Sequence, residues 1–126
     1  MANGSVEDVF FVKELIVSYL KSNPQGLGLT ADAGSAQGGQ PLVSSFNVID
    51  TSASAGDSVT LPASFEVGTL IFIKNGAAGN SIDVFPASGD DLGAGANTAA
   101  ALAAGKGIVY IGRTANSVWE SLIVGA

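Results

Sequence analysis

From Leu42 onward this chain never holds one hydrophobic pattern for long. Short apolar or alternating runs at 43–51, 58–61, 68–74, 81–85, 98–102, 107–112 and 117–124 are cut apart by turn residues. The separators include Ala55-Gly56-Asp57, Pro62-Ala63, Asn75-Gly76, Pro86 through Asp91, Ala104-Gly105 and Ala115-Asn116, each with the chemistry of a turn. Such runs leave little room for helices and suit strands. Val59 and Leu61, Leu70 and Phe72 against Ile71 and Ile73, Ile82 and Val84, and Ile108 and Tyr110 supply the period-2 positions of the two sheet faces. Trp119 and Phe85 are the expected large core anchors. The pattern predicts a mainly β fold, a jelly-roll-like antiparallel β-sandwich with an N-terminal helix or arm.

The segment 5–22 differs from this body. It lacks Gly and Pro, places Ser5 ahead of Glu7 and Asp8, and stops at Asn23-Pro24, as a capped helix does. At 100° per residue Glu7, Glu14, Ser18 and Lys21 share one face, and Val6, Val9, Phe10, Val12, Ile16, Val17 and Leu20 spread over most of the remainder. Lys13 falls inside the apolar face and Phe11 near the polar one. The run is also rich in β-branched and aromatic residues, so an extended arm is the alternative. Such a segment covers the chain's own sheet, a neighbouring subunit or both. Val6, Val9, Phe10, Phe11, Val12, Ile16, Val17, Tyr19 and Leu20 are therefore the candidate interface residues, joined by Arg113, whose guanidinium could pair with an acid across an interface. Between 25 and 41 Gly, Ala, Ser, Asp and Gln replace nearly all large apolar residues, as in a linker or long surface loop. The expected organisation is an arm at 1–24, a Gly-rich linker at 25–41 and a β body at 42–126.

A chain of 126 residues has room for one core, and 47% hydrophobic with 13% charged residues lies far from a disordered composition. With 5 Lys+Arg against 11 Asp+Glu, the net charge of −6 opposes binding to nucleic acid or to an anionic membrane. Lys13, Lys21, Lys74, Lys106 and Arg113 are scattered and form no basic stripe. Without cysteine there are no disulfides or thiolate metal sites, and stability falls to packing and subunit contacts. The opening residues show no secretory signal, which predicts synthesis and use from the cytoplasm, and Lys13 and Glu14 break the longest apolar run well short of a membrane span.

The chemical inventory is thin. There is no His and no Cys, no Gly-x-Ser-x-Gly elbow and no phosphate-binding Gly-x-x-x-x-Gly-Lys-Ser/Thr loop. Gly93-Ala94-Gly95 lacks the helix and acid of a dinucleotide site. Asp83, Asp90 and Asp91 form the only acidic cluster of the body, and oxygen ligands of this kind suit Ca²⁺ if carbonyls complete the shell. The plainer reading is a solvated turn whose Asp side chains bond nearby backbone N–H groups. Nothing marks any pair among Asp83, Asp90, Asp91 and Glu120 as the spaced carboxylates of a glycosidase. Trp119, Tyr110 and Tyr19 would serve as a sugar platform only if exposed, whereas single aromatics in strands are usually core. The expectation is a protein with no enzymatic role, no cofactor and no metal.

Gly28-Leu29-Thr30-Ala31 followed by Gly34-Ser35-Ala36-Gln37, then Val59-Thr60-Leu61-Pro62, Val67-Gly68, Asn75-Gly76-Ala77, Val84-Phe85-Pro86-Ala87-Ser88-Gly89-Asp90, Ala104-Gly105-Lys106 and Trp119, form a distinctive series. In these the chain resembles a recurrent module of tailed-bacteriophage virion structural proteins, over roughly residues 26–121. The Val-Phe-Pro-Ala-Ser-Gly-Asp stretch is the most specific part, and no catalytic residue comes with it. The resemblance implies a head-decoration (capsid cement) protein, commonly trimeric, whose partners are the major capsid protein and its own copies. It would be made in the host cytoplasm and located on the capsid surface of the virion. The alternative is a tail or fibre module for receptor or glycan binding, with the loops at 76–80 and 86–97 carrying recognition.

Overall fold

The computed structural model describes residues 25–124. They form eight strands: β1 (Gln25–Thr30), β2 (Phe46–Thr51), β3 (Asp57–Thr60), β4 (Leu70–Asn75), β5 (Ile82–Phe85), β6 (Ala100–Leu102), β7 (Gly107–Thr114) and β8 (Val118–Val124). There is no helix among the described residues, and the expected helix or arm at 5–22 lies outside them. The fold is mainly β, as the alternating runs require. Each expected run from 43 onward overlaps one of the strands β2 to β8, with ends that differ by one or two residues at β3, β4 and β7.

The pairing corrects the antiparallel jelly roll expected from the sequence. One sheet has the order β1-β2-β4-β7-β8 and the other β3-β5-β6. β1 with β2, β2 with β4, and β3 with β5 are parallel, whereas β4 with β7, β5 with β6, and β7 with β8 are antiparallel. Between 46 and 85 the chain alternates between sheets, so Phe46 meets Phe72 and Asp57 meets Ile82 after one full coil. A parallel pair needs a crossover before the chain can return in the same direction. Here the crossovers between β2 and β4 and between β3 and β5 each contain a strand of the opposite sheet rather than a helix. Short-range pattern reveals that a run is a strand but not which way its neighbour points.

Both sheets feed one core. Ile49, Ile71, Ile73, Ile108, Tyr110 and Trp119 from the larger sheet meet Val59, Ile82, Val84 and Leu102 from the smaller. Trp119 is a core anchor as expected, while Phe85 is only half-buried. Two buried amides manage the backbone where apolar side chains cannot. Asn47 Nδ2 donates to the carbonyls of Ser44 (2.7 Å) and Phe72 (3.2 Å), and Asn75 Nδ2 donates to those of Asn80 and Leu102 (both 2.9 Å). Asn75 Oδ1 also accepts from Ala77 N, so one side chain ties the end of β4 to the next turn and to β6.

The stretch at 25–41 is not a linker. β1 runs parallel beside β2, and Gly26 sits where a Cβ would lie 2.6 Å from Asn47 Oδ1. The rest lies over β3 through bridges from Asp32 to Ser58 and from Pro41 to Thr60. Ser58 Oγ donates toward the carbonyls of Gly34 (2.9 Å) and Ala36 (3.0 Å). At Gly39 a Cβ would lie 2.9 Å from the Ser58 carbonyl oxygen, so the approach depends on glycine. This cover explains why all four residues of β3 are buried. The small residues that suggest a linker serve close packing instead.

Candidate assembly surface

The larger sheet has one face in the core and one face uncovered among the described residues. Along β4, Ile71, Ile73 and Asn75 are buried, and Leu70, Phe72 and Lys74 point out. Register carries this pattern across the sheet. Phe46 of β2 pairs with Phe72, Phe72 with Val109 of β7, and Val109 with Leu122 of β8, which makes one apolar row over four strands. A second rung joins Leu70 to Ile111. Leu122 is 58% exposed, and Phe46, Phe72, Leu70 and Ile111 each keep more than a third of their surface in contact with solvent. Val109, between Phe72 and Leu122, is itself buried. Single exposed apolar residues are ordinary, but a contiguous row on one face marks an interaction surface.

The surface has defined limits. Leu27, 59% exposed, stands at the β1 edge. At the end where β2 and β4 begin, the preceding loops add Val43 and Val67, which are 83% and 68% exposed. On the β7–β8 side Arg113 Nη1 pairs with Glu120 Oε1 at 2.8 Å, both side chains well exposed. At the other end Lys74 Nζ donates to the Gly105 carbonyl. Charged groups therefore rim the apolar row, as in protein interfaces. Arg113, a candidate interface residue, has its guanidinium engaged within the chain. The other candidates, Val6, Val9, Phe10, Phe11, Val12, Ile16, Val17, Tyr19 and Leu20, lie outside the described residues. The apolar row itself went unseen in the sequence. Its signal was the doubled alternation in β4, where both phases are apolar, so that one must face outward.

The acidic cluster takes a structural form. Asp91 Oδ1 accepts from Gly93 N (2.6 Å) and Gly95 N (2.9 Å), as the turn reading expects. Asp83 Oδ2 instead accepts from the Ser35 hydroxyl. Asp90 departs from the solvated-turn reading: it is 6% exposed, its Oδ2 has no hydrogen-bond partner, and burial pushes its carboxyl up. No group of three or more acidic side chains arranged to hold a metal ion occurs among the described residues. Ser64, Phe65, Glu66, Ala115 and Asn116 line an open pocket of about 360 Å³. Glu66 is the one ionisable group in this lining, with no second acid beside it. Trp119 and Tyr110 are buried, so neither offers a sugar platform. No known protein family, curated protein or solved structure matches this chain.

Proposed function

We propose that this is a non-enzymatic virion structural protein of a tailed phage, a decoration (cement) protein that binds the outer surface of the assembled head. The observation that carries the reading is the apolar outer face of the five-stranded sheet, continued at one end by Val43 and Val67. Such a surface is stable in water only while something covers it. A protein that works by remaining bound needs a rigid body and an apolar contact, and no turnover. Binding to the assembled shell alone stabilises the shell by mass action. Self-association as a trimer places the same surface of each copy against a neighbour under symmetry, and the major capsid protein is the second partner. The sequence resemblance to virion modules supports the same reading.

Light scattering of the purified chain, followed by co-sedimentation with capsids and separately with host cells, tests the proposal. A trimer that travels with capsids is the expected result. A monomer, or a species that pellets with cells, overturns it in favour of a tail or fibre recognition module.

A further inference from the structure

We propose that the pocket between residues 64–66 and 115–116 receives an arginine side chain of the partner that the apolar sheet face meets. The chemistry of the pocket stands by itself, and only the source of the arginine rests on the decoration reading.

The pocket is built before anything enters it. Asn116, at a φ of 52°, exchanges two hydrogen bonds with Phe65, so the two walls are tied to each other. Glu66 is fixed in the same way: its N–H donates to Thr69 Oγ1 at 3.2 Å, and its carbonyl accepts from Thr69 N at 3.1 Å. Phe65 in turn rests on Trp119. A preformed site needs little further ordering on binding. At about 360 Å³ it lies near the small end of ligand pockets, which suits a single side chain.

Its charge is unanswered. The Glu66 carboxylate has no hydrogen bond or ion pair among the described residues. Arg113, two residues from Ala115, is held by Glu120 at 2.8 Å. Lys74 and Lys106 lie at the far end of β4, about 17 Å along the strand from Thr69. The groups that line the pocket suit a guanidinium. It donates to the Glu66 carboxylate and to the Asn116 amide oxygen, whose second lone pair is open, and its plane lies against the Phe65 ring. An ammonium is a point charge and gains less from the ring. The chain itself contains one arginine, the engaged Arg113, so the guanidinium comes from another protein rather than from a second copy. Val67, beside Glu66 and 68% exposed, continues the apolar contact surface to the pocket, within reach of a partner seated there.

The test titrates the isotope-labelled full-length chain with N-acetyl-arginine amide and, separately, with the lysine and norleucine amides, following the backbone amide resonances of Phe65, Glu66, Ala115 and Asn116. Glu66→Gln keeps both backbone bonds to Thr69 and removes only the charge. Saturable shifts with the arginine probe, about fivefold weaker binding in Glu66→Gln, and weaker binding of the other two probes are the expected results. Equal binding by lysine or norleucine, or binding that Glu66→Gln leaves unchanged, would overturn the proposal. The source is read by co-sedimentation with capsids, where Glu66→Gln should bind about fivefold more weakly than the natural chain and less so as salt is raised. Capsid binding unaffected by the substitution would overturn the assignment to the shell. If the natural chain does not sediment with capsids, the source of the arginine falls with the decoration reading, and the titration alone decides the chemistry of the pocket.

Discussion

The Phe65 ring stacks on the Trp119 indole, with centroids 3.8 Å apart and planes inclined by 27°. The pair closes the core where the loop before β4 meets β8. Asn116 holds the same loop through reciprocal bonds, its Oδ1 accepting from Phe65 N at 2.8 Å and its N–H donating to the Phe65 carbonyl at 3.1 Å. Gly112, opposite Trp119 in register, makes room for both: a Cβ there would lie 2.4 Å from the Glu66 carbonyl oxygen and 2.9 Å from the Phe65 ring.

Gly112→Ala should therefore push the Phe65 loop off the indole and cost about 1–3 kcal/mol, the usual range for overpacking. Urea unfolding followed by the emission of the single tryptophan measures it. An unchanged midpoint would show that the loop yields freely.

Gly39→Val separates a packed cover from a linker. A side chain at Gly39 meets the Ser58 carbonyl, so the substitution should lift the loop from β3 and lower the unfolding free energy by about 1–3 kcal/mol. Hydrogen exchange at the Asp32 and Ser58 amides, which bond each other's carbonyls, should accelerate with it. In a free linker neither quantity would change.

Burial pushes the Tyr110 phenol up to about 12 from its ordinary 10.0. The folded chain then keeps a proton that the unfolded chain releases, so this contribution is complete below pH 10 and is lost as pH rises through about 12. The loss amounts to about 2–3 kcal/mol. Tyr110→Phe should flatten that alkaline decline relative to the natural chain. Because the buried hydroxyl has no protein partner, the variant should be at least as stable at pH 7.

Asp57 behaves oppositely. Its carboxylate accepts from Ser54 N (3.0 Å) and Gly34 N (3.1 Å), and these bonds hold its pKa below the usual 3.8. Its contribution is present above pH 3.8 and is lost as pH falls through the lowered value. Asp57→Asn should lower the melting temperature at pH 7, and the difference from the natural chain should narrow as the pH drops below 3.8. A gap independent of pH would mean that charge is not what the two N–H groups require.

Much of the body is legible in the residues because strand formation is local. Alternation at Ile82–Val84 and Ile108–Tyr110, bounded by Gly, Asn and Pro, needs only the two-residue period of a strand, and these residues are buried as the period demands. β1 escaped because Gly26 and Gly28 read as loop. Their reason for being there, the approach to Asn47 and a φ of 69° at Gly28, exists only once β2 is alongside. The same holds for Asn47 and Asn75, buried polar residues whose Nδ2 groups donate to the distant carbonyls of Phe72 and Leu102.

By itself, then, the sequence determined that the described residues are mainly β, where most strands fall, and that Trp119 anchors the core. The tertiary structure alone decided the parallel coil between two sheets, the folding of the 25–41 stretch over β3, and the alignment of Phe46, Phe72, Val109 and Leu122 into one row. The division has a physical cause. Period and turn chemistry act over a few residues, whereas strand direction and register are set by which backbones meet after the chain has closed a coil.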